Sequence, residues 1–247
     1  MPPENPAARR NPGFTLVELL IVISIVLILA LIAFMFTRRA MDRAHTVSCS
    51  NNLRQIGVGL TGYQQENNGY PSQNSGITWD RAILPHMGYL GDRSLVGTSP
   101  FRKSAWAELA SVVKPFACPA DRKPRSQDRF KRSYSIVPWT TNWSNGTQFR
   151  GWKNRPYNKG VPLSIVDEPG RAAMVVEWHT GTESLENLCG GGNHTYHDRG
   201  GPDKPEDTLH GKKQIVLFAD GHTEMLPFMT NADFVQKYWP GVLGTVD

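Results

Sequence analysis

The chain has 247 residues, a formal net charge of +5 and a hydrophobic content of 39%. This length predicts one globular domain plus an appendage. Much of the aliphatic content lies between Phe14 and Phe36, whereas the rest is rich in Gly, Pro, Trp and Asn. That uneven distribution excludes a uniformly soluble chain and indicates an apolar segment attached to a polar body.

The stretch from Phe14 to Phe36, FTLVELLIVISIVLILALIAFMF, predicts a transmembrane helix. As a helix it would be about 34 Å long at ~1.5 Å per residue, which matches a bilayer core of ~30 Å. It has no polar face beyond Ser24 and Glu18. A cleavable secretory signal is a poor alternative because Ala30-Leu31-Ile32-Ala33 is a weak cleavage site. An ordinary signal anchor fits the length but leaves Glu18 unexplained.

Glu18 follows Phe14 by four residues, so both lie on one face of the helix. A carboxylate costs about 2.5–3.5 kcal/mol at mid-bilayer and less near an interface. Cleavage after Gly13 would give Phe14 a free amine one turn from this acid. Charge pairing, within one chain or with a neighbour, would then offset the burial of either group.

The sequence GFTLVELLIVISIV resembles the class III signal of type IV prepilins and type II secretion pseudopilins, with Gly13, Phe14 and Glu18 at the matching positions. The resemblance implies that a prepilin peptidase cleaves after Gly13 and N-methylates Phe14, and that Glu18 guides subunit docking. The implied partners are that peptidase, other pilin or pseudopilin subunits and inner-membrane lipid.

The same resemblance implies a single-pass protein of the inner (cytoplasmic) membrane, with a cytoplasmic N-terminus and an extracytoplasmic C-terminal domain, or a place in a filament or at the cell surface. The positive-inside rule alone leaves the orientation open. Basic residues flank the span on both sides: Arg9 and Arg10 before it, and Arg38, Arg39 and Arg43 after it.

Beyond the span, apolar residues at helical spacing predict that the helix continues to about Glu66 and stops at Asn67-Asn68-Gly69-Tyr70-Pro71. We expect three glycines on this helix, Gly57, Gly59 and Gly62, to allow close packing of a sheet. Strands are predicted over 133–138, 172–178, 213–219 and 222–227, with Asp220-Gly221 as a two-residue hairpin turn.

The predicted fold class is α+β and pilin-like, with a long N-terminal helix packed on an antiparallel sheet. The predicted organisation is a leader peptide (1–13), a transmembrane helix (14–36), the extracytoplasmic half of that helix (37–66) and an extracytoplasmic head (67–247).

The segment CSNNLRQIGVGLTGYQQENNGYPS, residues 49–72, resembles a large pilin-like family of planctomycete-type bacteria that has a C-terminal H-X9-DG motif (DUF1559-like). A Cys-Pro-x-Asp segment and a Ser-Tyr strand at Tyr134 agree with it. The positions that match the family motifs are Cys49, Asn52, Cys118, Pro119, Asp121, His210, Asp220 and Gly221. We expect His210 and Asp220 to be structural and to lie at opposite ends of one strand.

The three cysteines are too few for a disulfide scaffold. The sequence slightly favours three small, partly buried thiols, and the alternative is a Cys118–Cys189 bridge in an oxidising compartment.

No resident metal or cofactor is expected. The alternatives are a transition metal held by His194, His197 and Asp198 or calcium in the acidic part of the predicted loop 181–208. That acidic part comprises Asp198, Asp203, Glu206 and Asp207.

The function predicted from these features is that of a non-enzymatic pilin or pseudopilin subunit without catalytic residues. One alternative is a membrane-tethered extracytoplasmic binding protein that does not polymerise. A tethered metal-dependent hydrolase is less favoured. Basic residues between Arg122 and Arg132 can attract phosphates nonspecifically, but no specific nucleic-acid partner is expected.

Overall fold

The computed structural model describes residues 14–71, 78–91, 109–122, 128, 130–137, 166, 168–177, 208–229 and 231–238. The chain forms two compact units, Met1–Arg43 and Ala44–Asp247. Helix α1 (Leu16–Asn67) contains the boundary between them. The predicted long helix is thus confirmed, and its end lies one residue beyond the predicted one.

A left-handed residue and a 6→1 backbone bond, as in a Schellman motif, end α1. Asn68 adopts a left-handed conformation with φ of 54°, and the Gly69 N–H donates to the Gln64 carbonyl at 3.3 Å. Asn tolerates this conformation because its short polar side chain interacts locally with the backbone. Pro71 follows and cannot continue the helix.

In the first unit, the large hydrophobic side chains from Phe14 to Phe36 are between 43% and 79% exposed. Within the part of the chain that the structure describes, α1 is the one helix long and apolar enough to cross a membrane. Such a surface requires lipid or other apolar helices around it.

In the second unit, four strands form an antiparallel sheet in the order β1–β2–β3–β4. The strands are β1 (Tyr134–Ile136), β2 (Ala173–Glu177), β3 (Lys213–Phe218) and β4 (Thr223–Pro227). All four correspond to predicted strands, which confirms the α+β class.

The connection between β3 and β4 differs from the prediction. The Phe218 N–H donates to the His222 carbonyl, and the Gly221 N–H donates to the Phe218 carbonyl, both at 2.9 Å. These bonds define a three-residue loop, Ala219-Asp220-Gly221, in which Gly221 has a φ of 88°. The prediction of a two-residue turn was therefore wrong. Gly221 nevertheless has the positive φ for which a glycine was expected at this position.

The core of the second unit forms between α1 and the sheet. Four residues at spacings of three and four line one buried helix face: Cys49, Leu53, Ile56 and Leu60. A Cβ on Gly57 would lie 3.2 Å from Cδ1 of Leu217, so this glycine does admit the sheet. Gly59 and Gly62 instead approach residues 83–87, so the expected reason for those two was wrong.

Shorter helices complete the described part of this unit. They are α2 (Trp79–Ile83), α3 (Ala110–Val113) and α4 (Asn231–Tyr238), together with 3₁₀ helices at Leu84–Met87 and Lys114–Phe116. Helix α4 contributes the fully buried Phe234. The 3₁₀ helix at Lys114–Phe116 leads directly into the Cys-Pro-x-Asp segment.

Candidate functional site

Glu18 and Thr15 form a capping box at the start of α1. The Glu18 N–H donates to Oγ1 of Thr15 at 3.2 Å, and Oε2 of Glu18 accepts the Thr15 N–H at 2.9 Å. The Thr15 hydroxyl also donates to the same carboxylate oxygen at 2.8 Å. This reciprocal arrangement satisfies backbone donors that a helix start leaves unpaired. The T-x-x-E pattern of Thr15 and Glu18 is the sequence signal for this capping box.

The other predicted processing residues are placed only in part. Phe14 is 75% exposed, and Gly13 lies outside the described residues. Pairing between Glu18 and a free Phe14 amine requires a cleaved chain, so it remains a prediction.

A second group of predicted residues converges around a disulfide in the second unit. Cys49 and Cys118, 69 residues apart, are bonded to each other. Nε2 of His210 lies 3.5 Å from Sγ of Cys118 and 2.9 Å from Oε1 of Glu177. Three of the motif positions thus meet at one buried point, together with an acid that sequence reasoning missed.

Four separate parts of the chain supply these residues. Cys49 lies on α1, Cys118 follows the 3₁₀ helix at Lys114–Phe116, Glu177 ends β2, and His210 precedes β3. The antiparallel pairing of β2 and β3 brings Glu177 close to His210, which precedes β3. At this point of the sheet, Oε2 of Glu177 accepts the Ile215 N–H in β3 at 2.9 Å. Tertiary structure alone therefore assembles the cluster.

The electrostatics of the cluster depend on burial. The Glu177 side chain is fully buried and that of His210 is 3% exposed. Burial raises the pKa of Glu177, and the bonds from His210 and the Ile215 N–H only partly offset that effect. Nδ1 of His210 lies 3.2 Å from Oγ1 of Thr46, so both ring nitrogens have a polar partner.

The remaining Cys-Pro-x-Asp residues fix the segment that carries Cys118. The Asp121 N–H donates to the Cys118 carbonyl at 2.9 Å, which closes a turn with Pro119 in its second position. Oδ2 of Asp121 accepts the Ser133 hydroxyl at 2.7 Å. Asn52 on α1 donates from Nδ2 to the Ala117 carbonyl at 3.0 Å. These bonds give Asn52, Pro119 and Asp121 structural roles.

Asp220 lies at the other end of β3 from His210, as expected. Its Oδ1 accepts the His222 N–H at 3.1 Å and contacts Nδ1 of the same residue. The His222 ring stacks on Phe218 with ring centroids 4.4 Å apart. Partial burial opposes ionisation of Asp220, but the bonds from His222 outweigh it and lower the pKa.

The expectation for the cysteines was wrong. Cys49 pairs with Cys118, so neither is a free thiol and Cys118 does not pair with Cys189. No spacing rule relates these cysteines, because the fold of the chain between them brings them together. Cys189 lies outside the described residues, as do the metal alternatives His194, His197 and Asp198 and the calcium alternatives Asp203, Glu206 and Asp207.

Among the described residues, one group has the composition of a metal site. Cys49, Cys118, Glu177 and His210 each offer one ligand atom, and these atoms all lie within 4.8 Å of one another. Glu177 lies within the predicted strand 172–178, and its role in the cluster was not predicted. An acid in an otherwise apolar strand was the available signal, since a buried carboxylate needs a partner.

Comparison with known proteins agrees with the predicted family and with the predicted processing signal. A family model described as "Protein of unknown function (DUF1559)" matches residues 39–162, and one described as "Prokaryotic N-terminal methylation motif" matches residues 8–34. No curated protein and no solved structure matches the chain significantly. The methylation motif and the apolar helix that contains much of it identify a membrane-anchored protein of the pilin-like prepilin type. The chain is a member of the DUF1559 family.

Proposed function

We propose that the chain is a non-enzymatic subunit of a type IV pilus or a type II secretion pseudopilus. In this proposal a prepilin peptidase cleaves after Gly13 and methylates the new amine of Phe14. The chain then assembles into the filament or associates with it. The observation that carries the proposal is the methylation motif over residues 8–34, which spans this junction and the start of α1.

The capping box supports a specific role for Glu18. In the uncut chain, the carboxylate already accepts two bonds from Thr15. Both donors are neutral, so these bonds satisfy hydrogen bonding but do not neutralise the negative charge. Cleavage creates a cationic amine at Phe14, and a neighbouring subunit would present the same cation. Charge pairing in an apolar bundle therefore gives Glu18 an assembly function distinct from capping.

The exposed surface of the span supports the same proposal. Apolar side chains surround the helix between Phe14 and Phe36. Lipid covers this surface before assembly, and the spans of other subunits cover it afterwards. The head then lies on the extracytoplasmic side of the inner membrane, because the peptidase acts at the cytoplasmic end.

Two substitutions separate the charge of Glu18 from its capping role. Glu18→Gln removes the charge but retains a side chain that can complete a capping box. Thr15→Ala removes the box and keeps the charge. We expect Glu18→Gln to abolish recovery of the protein in sheared filaments or cross-linked oligomers, while Thr15→Ala retains most of it. Both variants should accumulate in membranes at the wild-type level.

The readout is an immunoblot of the sheared and membrane fractions, together with cross-linking of the spans in membranes. A Glu18→Gln protein that enters filaments or cross-linked oligomers as the wild type does would contradict the assembly role. A wild-type protein found only as a monomer in membranes would instead favour a tethered binding protein.

A further inference from the structure

We propose that Cys49, Cys118, Glu177 and His210 form a buried Zn²⁺ site when the cysteines are reduced. This site and the Cys49–Cys118 disulfide are alternative states of one cluster. The proposal does not depend on filament assembly, since all four residues belong to the second compact unit, Ala44–Asp247.

Two of the distances within the cluster are close to those of a tetrahedral site. Zn–S bonds of ~2.3 Å and Zn–N bonds of ~2.0–2.1 Å place the two ligand atoms about 3.5 Å apart. Sγ of Cys118 and Nε2 of His210 are separated by 3.5 Å. Nε2 of His210 and Oε1 of Glu177 are 2.9 Å apart and need to separate by only about 0.4 Å. The two sulfur atoms must separate once their bond is absent, and the ligand atoms, which all lie within 4.8 Å of one another, must reach separations of about 3.3–3.8 Å.

The second ring nitrogen of His210 and the second carboxylate oxygen of Glu177 already have the hydrogen-bond partners that such a site requires. A metal-bound histidine usually donates its other ring N–H to an oxygen acceptor. Here Nδ1 of His210 faces Oγ1 of Thr46 at 3.2 Å. The second carboxylate oxygen of Glu177 accepts the Ile215 N–H at 2.9 Å. Both ligand side chains are therefore held in place through atoms that a metal would not use.

The ligand types select zinc among common divalent cations. Two thiolates and an imidazole suit Zn²⁺, whereas Ca²⁺ and Mg²⁺ prefer oxygen ligands. Four protein ligands leave no open position, so the site would be structural and not catalytic. Two thiolates, one carboxylate and one Zn²⁺ leave a net charge of −1, as in Cys₃His sites.

The redox state decides which form exists, because the thiolate and not the disulfide is the metal ligand. Zn²⁺ binding to two thiols forms two Zn–S bonds and releases two protons. Alternatively, exchange with a more oxidising protein disulfide transfers two electrons from the cysteines. The S–S bond then forms, and the partner leaves as a dithiol. Either product ties α1 to the segment that contains Cys118.

The test uses the full-length chain in detergent micelles with Cys189→Ser, which leaves two thiols. One sample is reduced with a thiol-free phosphine and stripped of metal, and a second is kept oxidised. We expect the reduced sample to bind one Co²⁺ per chain with a thiolate-to-cobalt charge-transfer band, and one Zn²⁺ to displace it. The oxidised sample should show no such band.

Further variants locate the site. Thr46→Val should weaken Zn²⁺ binding about 10- to 100-fold, the usual effect of losing such a partner. Glu177→Gln should weaken it at least as much. The matched control is His222→Gln at the far end of β3, which should change nothing. Equal Zn²⁺ affinity in Glu177→Gln and the parent protein would overturn the assignment.

Folding of the reduced protein gives a second readout. A reduced, metal-free chain that loses its circular-dichroism signal and regains it on addition of Zn²⁺ supports the proposal. A reduced chain that stays folded with two free thiols and binds no metal overturns it. So does a reduced chain that unfolds and is not restored by Zn²⁺.

Discussion

His210 and Glu177 form a buried histidine–acid pair, with Nε2 and Oε1 2.9 Å apart. The contact joins the first residue of the H-X9-DG motif to the last residue of β2. Both side chains are almost completely shielded from solvent. Each polar group therefore needs the other as a hydrogen-bond partner.

Removal of one member of this pair should therefore destabilise the folded protein. We expect His210→Ala to lower the free energy of unfolding by about 1–3 kcal/mol, because it leaves Oε1 of Glu177 buried without its hydrogen-bond partner. Urea unfolding of the oxidised full-length protein in micelles, in the absence of metal, measures this change.

The matched control removes the cation of an exposed pair. Nη1 of Arg171 lies 2.7 Å from Oε2 of Glu168, and both side chains are more than half exposed. Arg171→Ala should cost less than about 1 kcal/mol. Similar losses for the two variants would mean that the buried pair contributes no more than a surface ion pair.

The Cys49–Cys118 disulfide should also stabilise the folded state by several kcal/mol. Cross-linking residues 69 positions apart restricts the unfolded chain and stabilises the fold by about 4 kcal/mol in the chain-entropy model. We expect Cys49→Ala together with Cys118→Ala to lose about this amount relative to the oxidised parent. Thermal or urea unfolding, with Cys189→Ser as the control, tests this value. An unchanged unfolding midpoint would contradict it.

Asp220 should make a small, pH-dependent contribution to the free energy of unfolding. Its folded-state pKa is lowered, so its stabilising effect is present above the unfolded value of 3.8 and is lost as the pH falls through the folded value. Wild type should therefore exceed Asp220→Asn in unfolding free energy above pH 3.8, and the difference should shrink at lower pH. Because the side chain is 42% exposed, we expect only a fraction of ~1 kcal/mol. A difference that is constant across this pH range would contradict the role of ionisation.

Local patterns predicted α1 and the four strands of the sheet, but not the shorter helices of the second unit. The apolar run and the spacing of Leu53, Ile56 and Leu60 identified α1, because the period of a helix repeats in the sequence. The strands were recognisable from short β-branched and apolar runs bounded by turn residues. The loop at Gly221 was one residue longer than predicted, since Asp-Gly is compatible with more than one hairpin geometry.

The cluster of Cys49, Cys118, Glu177 and His210 was much less predictable. Cys49 and Cys118 carry no spacing signal across 69 residues, and their contact depends on how the chain between them folds. Glu177 joins His210 only because β2 and β3 pair in one particular register. The family motif singled out three of the four residues, but it did not indicate that they touch.

The most direct test of prepilin processing is the mass and the N-terminal residue of the protein recovered from membranes. We predict a chain that begins at N-methylated Phe14, with residues 1–13 absent. Loss of the peptidase, or substitution of Gly13 by a bulky residue, should restore the full mass. A chain that still begins at Met1 in cells with an active prepilin peptidase would contradict processing, and it would make the protein a plain membrane-anchored one.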